Sequence, residues 1–266
     1  MDAMTQPVTE PGPPGASTGF RWSGVPWWLI ALIATIAFFA FKVVTDPEWR
    51  QAFDFIRRGL SMTLIITAAG FVIAVVLGLI IGLARISKNV VLSNLAMYYI
   101  EFIRGVPVIV TIFMFSLVVW GQWLNDAGVP VPSQAIRATM ALGFIYAAFI
   151  AEVFRAGIES ISTGQREAGE SVGLSKSDIL RFIVLPQAIR NIMPALGNDL
   201  IALLKDSSLV SILAVRELTQ MTRLYTGSTF QFMNGYLVLT GFYLVLTLSL
   251  SLLLRWYERR IQVPGH

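Results

Sequence analysis

The sequence predicts an all-α polytopic membrane bundle of about six transmembrane helices, and three observations predict it. Only 14% of the 266 residues are charged, where a soluble domain carries roughly 25%. Hydrophobic residues make up 55% of the chain, and the mean hydropathy is +0.68. The apolar residues are also gathered into runs close to the about 20 needed to cross a bilayer.

Residues 1–24 contain Asp2, Glu10 and Pro11-Gly12-Pro13-Pro14-Gly15, with no basic residue before Arg21. A secretory signal needs a basic start and a short apolar run. This stretch instead reads as a disordered cytoplasmic tail, too polar and proline-rich to bury a core. An amino-terminal span follows at 25–44, overlapping an uncharged run from Trp22 to Phe41, where Trp27 and Trp28 suit the membrane interface. Residues 45–59 read as an external interfacial segment, with Arg50, Arg57 and Arg58 among Asp46, Glu48 and Asp54.

The core domain is expected over 60–255. Met62–Leu83 is its first span, and Gly70, Gly78 and Gly82 there permit close helix packing. Gly105–Asn125 comes next, preceded by a helix-like run from Leu92, with Pro107 bending or starting the span. Ala138–Ala151 is apolar and extends to Phe154 if Glu152 faces protein. Ile192–Val215 is interrupted by Asn198, Asp199, Lys205 and Asp206, and Tyr236–Leu254 closes the set before a tail at 256–266. Lys and Arg in short loops mark the cytoplasmic side. Their balance places both termini and the polar loop 156–191 inside, although 42–58 is unexpectedly basic for an external segment.

Several chemistries are excluded. There is no cysteine, and the only histidine is His266, so thiolate sites, two-His metal sites and His-based triads are impossible. No GxxxxGK[ST] phosphate loop appears, so any ATP driving this chain is hydrolysed elsewhere. A net charge of +4 gives no reason to expect nucleic acid.

The loop carries the densest pattern. Glu167, Ala168 and Gly169 favour a helix with Arg166 and Glu170, and Gly173 supplies a backbone able to take positive φ at its end. Ser175 and Asp178 have capping-box spacing for a second helix. A helix–glycine turn–helix is a rigid lever, and small residues at Ala168 and Gly169 permit close approach to a partner. Elsewhere, Glu101 with Arg104 and Glu152 with Arg155 stand at i, i+3, suited to gating or structural ion pairs. In the fifth span Lys205 and Asp206 point about 100° apart on a helix. Each needs its own partner, either a zwitterionic ligand or another span. Ser207 and Ser208 add hydroxyls and mark a possible helix break.

These segments also carry a resemblance. The 164–194 stretch, with Glu167-Ala168, Gly173 and Leu185-Pro186, resembles the EAA loop of ATP-binding-cassette importer permeases. YIEFIRGVP at 99–107, AAFIAEVFRA at 147–156 and LLKDSSL at 203–209 resemble the EFFRGTP, AAY-AE-FR and LLKDTSL segments of permeases for polar amino acids. Gly169 in place of the second Ala, and Val106 in place of Thr, are departures. Gly is a weaker helix former than Ala by roughly 1 kcal/mol. The resemblance covers about 60–255 and implies a type I importer permease fold with one additional amino-terminal helix.

It further implies uptake of a polar amino acid (His, Glu, Gln, Arg or an opine) across the bacterial plasma membrane. The partners implied are a second permease subunit in a homo- or heterodimer, two cytoplasmic ATPase subunits holding ATP and Mg, and an extracytoplasmic solute-binding protein. The chain itself would bind no cofactor and catalyse no reaction. Glu167, Ala168, Gly169, Gly173 and Leu174 would couple to the ATPase, and Lys205, Asp206, Ser207, Ser208 and Asn198 would meet substrate. The alternative is a self-sufficient ion-coupled amino acid carrier, disfavoured by the absence of an internal repeat and by the docking loop. A membrane enzyme is weaker still, because no metal cluster or activated nucleophile can be assembled.

Overall fold

The computed structural model describes residues 27–261, so the expected tail over 1–24 lies outside the described residues. Helix α1 (Trp27–Thr45) ends where Asp46 starts α2 (Pro47–Ile56). Asp46 accepts from the Glu48 N–H at 3.0 Å, and Pro47 fills the first helical turn, where its missing donor is harmless. A 3-10 turn, Arg57–Gly59, continues α2 into α3 (Leu60–Arg85). Asn89 caps α4 (Val90–Gly105) by accepting from the Val91 and Leu92 N–H groups. Val106 is extended and Pro107 follows, so α4 must stop there and α5 (Val108–Phe113) begins afresh. Wider π turns over Met114–Trp123 lead into α6 (Leu124–Asp126).

Ser133 caps α7 (Gln134–Glu159). The short helices α8 (Thr163–Ser171) and α9 (Lys176–Asp178) then pass through π turns at Ile179–Val184 into α10 (Leu185–Asp206). The break expected in the fifth span is present, because α10 gives way to a 3-10 stretch, Ser207–Leu213. Helices α11 (Leu218–Thr229) and α12 (Phe232–Ile261) complete the order. The tail expected from residue 256 is thus helical as far as Ile261, its apolar run carrying the helix on through Arg255 and Trp256.

Among the described residues there is no strand, and six helical stretches are long and apolar enough to cross a membrane. Alternate crossing puts the turn at 86–89, α8 and α9 at one end, called here the loop face, and α4 runs from it along α3 and α7. Helices α2 and α11 stand at the opposite face.

The core is the contact between α3 and α7. Glycines and alanines line it, so the two backbones approach closely. A Cβ at Gly78 would lie 2.7 Å from Ile150 Cγ2, and one at Gly143 would lie 2.6 Å from Ile73 Cγ2. Tyr99 braces α4 by donating its hydroxyl to the Phe144 carbonyl. At the opposite face a second cluster gathers Trp49, Ala52 and Ile56 of α2 with Leu218, Tyr225, Val238 and Leu239. The segment expected to be interfacial is therefore a helix docked on the bundle, and Asn234 Nδ2 donates to Glu48 Oε2 at 2.8 Å to hold it. Glu217 caps α11 from a fully buried position, accepting from the Thr219 and Gln220 N–H groups.

Candidate functional site

Two sets of residues stand out, one at the loop face and one within the bundle. At the loop face α8 closes in a Schellman turn. Gly173 has φ +81°, its N–H donates to the Glu170 carbonyl at 3.0 Å, and the Leu174 N–H donates to the Gly169 carbonyl at 3.1 Å. Only glycine takes that backbone conformation without strain. Ser175 then caps α9, accepting from the Asp178 N–H at 3.2 Å and donating its hydroxyl to the Asp178 carboxylate at 2.6 Å. Both turn signals read in the sequence are present.

The small residues divide between two tasks. Ala168 is exposed, but Gly169 is buried against its own chain, where a Cβ would lie 2.8 Å from Ile179 Cγ1 and 3.0 Å from Ile183 Cδ1. The expected close approach at Gly169 is thus to the π segment leading into α10, and the departure from alanine has a packing reason. Behind it lie Ile161, Val184, Ala188 and Ile192, a cluster that fixes the loop to the bundle. The turn leaves Val172 74% exposed and Leu174 37% exposed. Val172 was missed by sequence reasoning, since an isolated apolar residue beside a turn glycine carries no periodic signal. Glu167 is exposed as well.

The ion pairs expected from i, i+3 spacing part company. Arg155 donates to Glu152 Oε2 at 2.8 and 3.0 Å and also pairs with Glu159. Among the described residues no ion pair joins Glu101 to Arg104, both of which are exposed. Arg104 instead lines a cavity with Glu152 and Asp199. Helical spacing permits a pair without requiring one, and here the neighbouring helices offer Arg104 more acidic surroundings.

Within the bundle, Tyr146 of α7 donates its hydroxyl to Asp206 Oδ2 at 2.8 Å. Lys205 points elsewhere, exposed, with no acidic partner among the described residues. Asn191, Asn198 and Lys205 recur every seven residues and are all exposed, so α10 presents a polar stripe along one face of a membrane helix. Asp199 and Asp206 share a second stripe at the same interval. Ser207 is buried, its hydroxyl donating to the Leu204 carbonyl at 2.7 Å, which leaves it to stabilise the helix break. Ser208 is half-buried. Tyr146 and Asn191 were not foreseen, because a tyrosine in an apolar run and an asparagine before a proline read as ordinary core and loop.

Residues 74–263 match the family described as the inner membrane component of binding-protein-dependent transport systems. The chain belongs to that family and is a multi-pass inner membrane protein with a type I importer permease fold. It is 37% identical over 214 residues to the probable amino-acid permease protein YxeN of Bacillus subtilis, covering 80% of this chain and 94% of that one. It is 35% identical over 206 residues to the glutamine transport system permease protein GlnP of Escherichia coli, covering 77% and 92% respectively. A solved amino acid ABC transporter with histidines superposes with a TM-score of 0.71 at 35% identity, over 78% of this chain and 94% of its counterpart. The inward-facing MetNI methionine ABC transporter shares the fold, with a TM-score of 0.61 at 20% identity over 82% of this chain and 100% of its counterpart. The family match begins at Ala74, so α1 and α2 lie before it.

Proposed function

We propose that this chain forms the membrane path and the force-transmitting face of an ABC importer for a polar amino acid. The observation that carries the reading is the loop face, where a rigid Schellman turn holds Val172 and Leu174 out of the protein beside Glu167 and Ala168. Exposed apolar side chains on an ordered polar loop are what a docking partner covers. The likeness to proteins named as amino-acid and glutamine permeases supports the substrate class.

In this reading the turn seats in a cytoplasmic ATPase subunit, one for each of two permease subunits that are identical or siblings. ATP and Mg belong to those partners, and this chain binds no cofactor. An external solute-binding protein delivers the amino acid, and the loop face and both termini lie in the bacterial cytoplasm. Along α10 the substrate ammonium meets Asp206, aligned by Tyr146, and its carboxylate meets Lys205, with Asn198 and Ser208 beside them.

The test is reconstitution of the permease with its cognate ATPase and binding protein. Uptake of labelled amino acid should require ATP. Lys205→Met and Asp206→Asn should each raise the half-saturating substrate level about 10–150-fold, the equivalent of one lost charge-assisted hydrogen bond, with the ATPase still bound. Uptake by the purified chain alone on an ion gradient would identify a secondary carrier and overturn the proposal.

A further inference from the structure

Helices α4, α7 and α10 line an open cavity of about 570 Å³, a size that accommodates a small molecule. Its polar lining is only partly self-satisfied. Arg155 is committed to Glu152 and Glu159. Arg104 has no acidic partner among the described residues, and Asp199 Oδ2 is buried without a hydrogen bond. An unsatisfied carboxylate oxygen is costly in apolar surroundings, and ionisable residues within membrane bundles face cavities or pair with one another. The cavity thus offers one free cation and one free anion to a ligand carrying both charges.

We infer that this cavity is a second amino-acid station, on the loop-face side of Asp206, with the ligand carboxylate on Arg104 and its ammonium on Asp199. The inference rests on the proposed transport of an amino acid and adds a site to it. Asp199 precedes Asp206 by two helical turns, about 10.5 Å along α10 at 1.5 Å per residue. Glu152 follows Tyr146 by six residues, about 9 Å along α7 on the same scale. Both helices therefore place these acidic residues about 9–10.5 Å to the loop-face side of the Tyr146–Asp206 pair. An ammonium leaving Asp206 toward the loop face meets Asp199 next, and Asn191, farther along α10, also borders the cavity. Such a station divides one long desolvated passage into two shorter transfers.

The chain contains no cysteine, so Ala195→Cys places a single thiol on the cavity wall. In the complete complex without ATP, labelling by a permeant maleimide is measured with and without glutamine, glutamate, histidine or arginine. The transported amino acid should slow labelling several-fold. Protection should persist with Lys205→Met added, vanish with Arg104→Gln or Asp199→Asn, and return with Arg104→Lys. Uptake by the Arg104→Gln and Asp199→Asn complexes should fall about tenfold or more. If an amino acid is transported yet leaves Ala195→Cys labelling unchanged, the second station is refuted while the transport reading stands. If none of the four is transported, the transport reading is what fails. Loss of protection that Arg104→Lys does not restore would assign Arg104 to the fold and also overturn the inference.

Discussion

Glu217 is fully buried at the start of α11, where Oε1 accepts from the Gln220 N–H at 2.7 Å and Oε2 from the Thr219 N–H at 2.8 Å. The Tyr243 hydroxyl adds a third donor at 3.2 Å. Burial outweighs these donors and pushes the carboxyl up from 4.5 to about 7. The folded state then holds the proton more tightly than the unfolded one. The associated stability is fully present below about pH 4.5 and is lost as pH rises through about 7. At about 1.4 kcal/mol per pKa unit the effect is of order 3 kcal/mol. The thermal midpoint of the purified protein should fall between about pH 5 and 8, and Glu217→Gln should flatten that slope. A slope unchanged in Glu217→Gln would assign it to another group. Glu217 itself was invisible in the sequence, where an acidic residue before a polar helix reads as solvated. Gly173 and Ser175 were legible because turn and cap chemistry is local. The partners of Arg104 and Gly169 depended on which helix faced which, and no local rule states that.

At the scale of elements, apolar length made the spans readable and chemistry at their ends made the breaks readable. The Pro107 break and the 3-10 stretch after Asp206 both fall where the sequence marked them. The π turns at Met114–Trp123 and Ile179–Val184 were not legible, since nothing in those apolar residues distinguishes a wider turn from an α turn. The coupling element yields a direct test. Gly173→Pro fixes φ near −65°, against the observed +81°, and deletes the N–H that closes on Glu170. The α8 turn should open and misplace Val172 and Leu174, so uptake should stop while the chain still inserts at normal level. Wild-type uptake by Gly173→Pro, with the ATPase co-purifying at full yield, would show that the turn transmits nothing.

For the whole molecule, the frame was legible and its one awkward feature was the basic segment expected to be external. In the fold those charges have local partners. Arg57 pairs with Asp54 at 2.9 Å, Lys42 with Asp46 at 3.8 Å, Arg50 donates to the Val44 carbonyl at 2.9 Å, and Arg58 stacks 5.5 Å from the Phe55 ring. Acidic residues contribute little to the positive-inside preference, so these contacts explain how the charges are accommodated and not how orientation is chosen. The expected orientation rests instead on Arg85, Lys88, Arg166, Lys176, Arg181 and Arg190 at the loop face, joined by Arg255, Arg259 and Arg260 at the end of α12. Single cysteines at Ser17, Ser175 and Ser228 test it without background, because the native chain has none. In intact cells an impermeant thiol reagent should label the Ser228 position on α11 and spare the other two until the membrane is opened. Labelling at both Ser17 and Ser175, with Ser228 protected, would invert the bundle. Labelling at both Ser17 and Ser228, with Ser175 protected, would mean that α1 does not cross and that the chain has five spans, all within the region where the other predictions lie.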